Sequence, residues 1–320
     1  MALPRTPPFR VLTWHEHGSY LDSLAQTGHS FYLPVPDEPR VGHAGRWPEW
    51  GSNVIEVPES NVADLDVDLV LFQSRTTWEV DRETVLSRAQ QRLPRIYLEH
   101  DPPREHPTDQ RHWVDDRDTL LVHVTAFNDL MWDAGRTPTR VIDHGIAAPP
   151  GVRWTGELER GIVVVNDLAT RGRRLGLDIF EAARADVPID LVGMHAADVG
   201  GLGEIRRSDL PAVEARYRFF FHPVRWTSLG MALIEAMTIG MPIVALATTE
   251  LPTVLVDGES GFVSTDPARL LDAMRALLRD RDLGRRLGEH AREIALERFA
   301  IDRFSRDWTE AFATVTGRPK

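Results

Sequence analysis

The sequence predicts an α/β protein of two Rossmann-like, doubly wound domains facing each other across a cleft, and three observations carry that reading. The chain has 320 residues, more than one ordinary core accommodates, since single cores stop growing at roughly 250–300 residues. Short apolar runs alternate with helical patterns along its whole length, which is the pattern of βαβ units. That rhythm stops at a Pro- and Gly-containing segment, 145–161, and then restarts.

The strands follow in order. RVLTW (10–14), VDLVLF (67–72), RIYLEH (95–100), TLLVHV (119–124) and TRVIDH (139–144) belong to the first half. IVVVND (162–167), PIDLVGM (188–194), RFFFHPV (218–224) and PIVALA (242–247) belong to the second. Continuous β-branched or aromatic runs flanked by helices read as buried parallel strands. The linker places the boundary near 147–151, giving domains 1–147 and 148–300. Residues 34–58, with PDEPRVGHAGRWPEWGSN, form a long connection rich in Pro, Gly and Trp. Such a loop either covers and binds something, as a flap, or is a structural excursion.

In open parallel sheets ligands sit beyond the carboxyl ends of the strands. His15 and His17, His100 and Asp101, His144, Asn166 and Asp167, and His222 occupy such ends.

The composition narrows the chemistry. The 42% hydrophobic and 27% charged content is that of a soluble globular protein. No apolar run approaches the ~18 residues of a membrane span, and MALPRTPPFR lacks a signal peptide's apolar stretch, so a cytoplasmic protein with no integral membrane segment is expected. Zero cysteines removes disulfides, thiolate metal sites and thiol nucleophiles together. A net charge of −11 argues against a nucleic-acid partner, because that affinity comes from neutralising phosphates, yet it leaves room for one local basic pocket. There is no G-x-x-x-x-G-K-S/T, G-x-S-x-G, H-E-x-x-H or well-placed G-x-G-x-x-G.

The most informative stretch is HPVRWTSLGMALIEAMTIGMPIVALATTELPTVLVDGESGFVST, 222–265. Ser228 reads as a helix N-cap, Gly240 as the residue after the helix, and Pro242 prevents continuation. Met231, Ala232, Leu233, Ile234, Ala236, Met237 and Ile239 surround the axis, so a buried helix is expected with Glu235 inside it. A carboxylate there needs a partner, either structural or a pair of vicinal hydroxyls. The amino end at 228–231 presents backbone N–H groups and a positive dipole end, and Gly230 admits an anion. A phosphate at that end and a ribose two turns deeper outline a site for a nucleotide diphosphate-sugar.

This segment resembles the donor-site signature of the retaining GT-B glycosyltransferases of family 4 (glycosyl transferases group 1), of the form P-S-x-x-E-G-F-G-L-x-x-x-E-A-M-A-x-G-x-P-V-V-A followed by G-G-x-x-E-x-V and G-x-x-G-F-L. Pro223, Gly230, Glu235, Ala236, Met237, Gly240, Pro242, Val244 and Ala245 match without a gap, and Gly258, Gly261 and Phe262 follow. The resemblance covers the second domain and, more weakly, the first through GSYLDSLAQTGHSF, LEHD and VIDHGI.

The resemblance implies a GT-B fold, a donor side in 148–300, an acceptor side in 1–147, and a last helix, 301–320, packing back on the first domain. It implies that Glu235 holds the donor ribose and that Ser228, Leu229, Gly230 and Met231 bind phosphate and sugar. His100 would lie beside the transferred sugar, and Gly18 by the diphosphate and acceptor. VVVNDLATRGRRLGLDIF (163–180) falls where the family has G-R and K-G. Asn166 stands at the glycine position, and Arg171, Arg173 or Arg174 would meet the diphosphate. Thr227 replaces the first glutamate of the E-x7-E pattern, so that contact to the donor sugar is not made by a carboxylate. No protein nucleophile, metal or tightly bound cofactor is implied. The donor is a nucleotide diphosphate-sugar, and the partner is a small-molecule or glycan acceptor. Preorganised N–H dipoles and arginines would stabilise charge on the leaving diphosphate.

WHEHGSYL then reads as the turn from the first strand into a helix. Ser19 with Asp22 resembles a capping box, and Gly28 ends the helix. His15 and His17 there face the acceptor and phosphates, or hydrogen-bond loop backbone, or join His100 and Asp101 in a nitrogen and oxygen metal site. The sequence is compatible with three functions: a glycosyltransferase, a catalytically silent sugar-nucleotide-binding subunit, and a GT-B sugar-nucleotide epimerase. Fold alone does not separate them.

Overall fold

A computed structural model describes residues 7–38, 40 and 43–318. Residues 1–6 and positions 39, 41 and 42 of the 34–58 connection lie outside the described residues. The chain forms two compact units, one of 1–145 with 301–320, the other of 146–300.

The first unit is a seven-stranded parallel sheet of β1 (Arg10–Thr13), β2 (Ser30–Val35), β3 (Val54–Pro58), β4 (Leu69–Phe72), β5 (Arg95–Glu99), β6 (Thr119–His123) and β7 (Thr139–Val141). Their spatial order is β3-β2-β1-β4-β5-β6-β7, with Val11 opposite both Phe31 and Leu69. The change of direction at β1 is the switch point of a doubly wound sheet, which opens a crevice at its carboxyl end. Trp14, Phe72, Trp78, Tyr97 and Leu121 fill one side of the sheet. On the other side, the helix Ile301–Thr316 brings Phe304 against Tyr20 and Phe312 against Phe9. Trp308 Nε1 donates to Tyr20 Oη at 3.1 Å, so this buried edge is satisfied.

β2 and β3 are two strands beyond those expected from the sequence. Pro34 interrupts the apolar run of β2. β3 is five residues ending in Pro58, inside what reads as one long connection over 34–58, so that connection is shorter than expected.

The second unit is a five-stranded parallel sheet of β8 (Leu158–Val164), β9 (Ile189–Val192), β10 (Tyr217–His222), β11 (Ile243–Leu246) and β12 (Phe262–Ser264), in the order β12-β11-β10-β8-β9. Phe219 and Phe221 enter one core with Ile179 and Leu270, while Phe220 enters the other with Leu233 and Met237. Alternate side chains of a strand point to opposite faces, so three consecutive phenylalanines are what a strand covered on both faces requires. No helix among the described residues is long and apolar enough to cross a membrane.

Candidate functional site

The second unit gathers chemistry at the carboxyl ends of its strands. After β10 the chain runs through Thr227, half-buried, and Ser228, buried, into the helix Met231–Thr238. Gly230, not Ser228, is the N-cap, at φ −66° and ψ 130°, with no side chain capping the first turn. Ser228 instead offers its carbonyl to Thr249 Oγ1 at 3.2 Å. A Cβ on Gly230 would meet only His222 Cε1, at 3.3 Å, so the glycine keeps the approach to these N–H groups open.

The helix is less enclosed than its composition suggests. Leu233, Ile234, Ala236, Met237 and Thr238 are buried, whereas Met231, Ala232 and Glu235 are half-buried. Met231 and Glu235 are four residues apart and share one face, so the carboxylate stands on the partly open stripe that begins at the uncapped end. Glu235 Oε1 lies 3.4 Å from Arg207 Nη2. Glu214, fully buried, has a carboxyl raised well above the usual range by burial and by the nearby Glu235 charge.

The basic turn is held by its own neighbours. Arg173 Nη1 pairs with Asp178 Oδ2 at 2.5 Å, and Arg225 pairs with both oxygens of the same carboxylate at 2.6 and 2.8 Å. Arg225 N and Trp226 N donate to Arg174 O at 3.0 and 3.2 Å, which docks the turn onto the segment after β10. Arg171 ends the four-residue helix Leu168–Arg171 and is half-buried. Asn166, exposed, accepts from Met194 N at 2.9 Å.

Asp167 and His195, at the ends of β8 and β9, both adopt left-handed backbone at φ 56° and 57°, and Thr249 after β11 does so at 52°. Non-glycine residues adopt this region at a cost, which clusters at functional loops. Asp167 Oδ1 and His195 Nδ1 lie 2.7 Å apart, and the carboxylate raises the imidazole's pKa.

The first unit gathers histidines at the ends of β1 and β5. The His17 and His100 rings lie 3.9 Å apart between centroids, with Tyr20 edge-on to His100 at 5.0 Å. Burial, and then His17 and His144, hold His100 well below the usual imidazole range. His144 lies against Tyr20 at 5.6 Å. His15 takes a different course: Nδ1 meets Gly45 O at 2.6 Å and its ring contacts Trp47 and Trp50. Asp101 pairs with Arg104. The four groups of the metal alternative therefore do not converge on one point, and among the described residues the only grouping of three ligand atoms is His43, Glu59 and Asp81, where Arg40 already contacts both carboxylates.

Gly18 begins the helix Gly18–Ala25, whose N-cap is His17 with no side-chain cap, so the Ser19–Asp22 capping box is not formed. Asp22 accepts from Trp50 Nε1 at 2.9 Å instead. A Cβ on Gly18 would lie 2.2 Å from the Trp47 ring, so only glycine fits under this tryptophan.

Several of these residues carried no motif: Arg207, Glu214, His195, which pairs with the strand-end Asp167, and Gln73, one residue beyond β4 and hydrogen-bonded to His100 at 3.1 Å. The strand-end rule alone could have flagged Gln73. Arg207 and Glu214 meet Glu235 from a separate loop and helix, which sequence spacing does not encode.

Comparison with known proteins agrees with the motif. Residues 196–294 match the family Glycosyl transferases group 1. A 78-residue stretch is 33% identical to N-acetyl-alpha-D-glucosaminyl L-malate synthase of Bacillus anthracis, covering 24% of this chain and 20% of that protein. A 66-residue stretch is 38% identical to O-antigen chain mannosyltransferase B of Escherichia coli, covering 21% and 16%. The aligned stretches thus span a fifth or less of these relatives. Among solved structures, the chain is similar over 98% of its length to the whole of a sucrose-phosphate synthase chain from Thermosynechococcus elongatus, with a TM-score of 0.70 and 16% identity. It is similar over 96% to the whole of Anabaena HepE in complex with UDP-glucose, with a TM-score of 0.69 and 14% identity. The fold is GT-B, and the resemblance of 222–265 to group 1 glycosyl transferases stands.

Proposed function

We propose that the protein is a glycosyltransferase that moves a sugar from a nucleotide diphosphate-sugar to a hydroxyl acceptor with retention of anomeric configuration. The observation that carries this reading is the uncapped amino end of Met231–Thr238 with Glu235 one turn in on the same partly open face, inside the stretch that matches the glycosyl transferase family. Backbone N–H groups at 230–232 suit a phosphate. The Glu235 carboxylate suits the two hydroxyls of a ribose, with Arg207 fixing its position. Anabaena HepE, of the same fold, is known in complex with UDP-glucose, which supports UDP as the first nucleotide to test.

In this reading 146–300 is the donor side and 1–145 with 301–320 the acceptor side. The leaving diphosphate is met by N–H dipoles of 228–231 and by Arg171 or Arg174; Arg173 is the weaker candidate because Asp178 holds it. Charge developing on that leaving group is where fixed dipoles lower the barrier most. The departing phosphate oxygen takes the acceptor's proton, so no protein nucleophile or metal is needed. His100 lies beside the transferred sugar, His17 and Gly18 beside phosphate and acceptor, and Thr227 leaves the donor sugar without a carboxylate contact. His15, turned to Gly45 O, supports the 43–50 segment.

Incubation with a panel of sugar nucleotides, following release of nucleotide diphosphate, tests this. Slow donor hydrolysis supports transfer, binding without turnover supports a silent subunit, and an isomerised sugar nucleotide supports an epimerase. Glu235→Ala is expected to weaken donor binding at least tenfold in calorimetry, the loss of about 1.4 kcal/mol or more that a charge-assisted hydrogen bond carries.

A further inference from the structure

The hydrogen bonds beneath His100 determine which of its ring nitrogens carries the proton. Gln73 is buried, and its amide is oriented by three partners. Its Nε2 donates to Thr13 Oγ1 at 2.9 Å and to Trp14 O at 3.1 Å. Thr13 Oγ1 gives its own proton to Leu71 O at 2.9 Å, so toward Gln73 it only accepts. Turning the amide over would set its oxygen against a carbonyl and a hydroxyl with no hydrogen left to offer, so the orientation is fixed by the network. The Gln73 Oε1 that remains is an acceptor, 3.1 Å from His100 Nε2.

From this geometry we infer that Gln73 is a positioning residue that holds His100 as the neutral Nε2–H tautomer, leaving Nδ1 as a hydrogen-bond acceptor for a hydroxyl of the transferred sugar. The first part is independent of any activity; the second rests on the function proposed above. Burial and the neighbouring His17 and His144 disfavour the imidazolium, which would have no acceptor to offer. The partner on one ring nitrogen sets what the other can do. Thr13 and Trp14 belong to β1 and its end, Leu71 to β4 and His100 to the end of β5, so the chain of bonds ties the ring to the sheet's switch point.

Imidazole 15N NMR at pH 7, with the His100 signal assigned by its loss in His100→Asn, reads the tautomer directly. The wild type is expected to show protonated Nε2 and a lone pair on Nδ1, and Gln73→Leu a mixture of both tautomers. A protonated Nδ1 in the wild type, or an unchanged tautomer in Gln73→Leu, overturns the inference, and the wild-type spectrum decides this even if the variant does not fold. In turnover, Gln73→Leu is expected to lower kcat about 10–100-fold, the range seen on removing the partner that orients a metal-bound imidazole, with KM for the donor within about twofold. An unchanged kcat removes the role toward the sugar. If the wild type turns over no sugar nucleotide, the proposed activity fails while the spectrum still stands or falls by itself.

Discussion

Glu99 shows how much one buried side chain is governed by its surroundings. It closes β5 one residue before His100, and its oxygens accept from Asp101 N at 2.9 Å and His112 Nε2 at 3.1 Å. His112 Nδ1 accepts from Val114 N at 3.0 Å, so Nε2 is the protonated nitrogen. Burial dominates both groups, pushing Glu99 up to about 8 and His112 down to about 3. The unfolded carboxyl ionises near 4.5 while the folded one keeps its proton to about 8. This group's stabilisation is therefore complete below pH 4.5 and is lost as the pH rises to 8. Glu99→Gln sets an amide NH2 against one of the two donors, which costs about 1–3 kcal/mol. The Tm advantage of wild type over Glu99→Gln is expected to be largest near pH 5 and to shrink and then reverse toward pH 9. A gap independent of pH would mean that Glu99 is ionised in the fold. Gly18 supplies a second test at this scale: Gly18→Ala drives a methyl into the Trp47 ring, an overpacking expected to cost about 1–3 kcal/mol in denaturant unfolding.

Among the elements, two helices show how contacts remote in sequence set the position of functional segments. Gly288, on the helix Arg281–Arg298, faces the carbonyl of Gly240, and a Cβ there would lie 2.0 Å from that oxygen. Alanine is favoured over glycine by about 1 kcal/mol inside a helix, so a Gly288→Ala variant that is less stable, by chemical denaturation, locates the loss in the packing. Under the proposed function it should also weaken donor binding, because Gly240 lies two residues beyond the helix that carries Glu235. The helix Ile301–Thr316 is tied to the first unit through His29, whose Nδ1 accepts from Phe9 N at 3.2 Å and whose Nε2 lies 3.0 Å from Thr309 Oγ1. Thr309 Oγ1 donates to Ser305 O, so it accepts from His29. Burial lowers His29 to about 4. Its contribution is present above 6.5 and lost as the pH falls through 4, where a proton on Nδ1 would face the Phe9 N–H. His29→Asn keeps an acceptor for Phe9 N but loses the ring. It is expected to cost about 1–3 kcal/mol at pH 7, and hydrogen exchange over 305–316 should show a shallower acid dependence than in the wild type.

At the scale of the whole molecule, the sequence made the architecture legible because buried parallel strands write themselves as uninterrupted apolar runs, and RFFFHPV is the clearest case. The glycosyl transferase motif was legible for a related reason: helix ends, glycine and proline have fixed positional meanings, as at Gly240 and Pro242. What did not show was anything made by closure in three dimensions. The strand Val54–Pro58 needs Phe31 beside it to be a strand, the cap stands at Gly230 while the Ser228 carbonyl accepts from Thr249, and Gln73 acquires meaning only when Thr13 and His100 stand on either side of it. Histidine burial is of the same kind, since twelve histidines in a sequence say nothing about which are dry. In the fold, burial lowers His29 and His123 to about 4 and His112 to about 3, and His100 well below its usual range, all in the first unit. The second unit has one such histidine, His222, lowered to about 4. Each is neutral in the fold and protonated in the unfolded chain between these values and 6.5, so each removes stability as the pH falls through that window. Among the described residues, these four groups against one favour a first unit that is the more acid-sensitive. Hydrogen exchange at pH 7 and pH 4.5 is expected to show β1, β4 and β5 losing protection by a larger factor than β8, β10 and β11. Equal losses in the two sheets would mean that these imidazoles are already protonated in the native protein or that the units unfold as one.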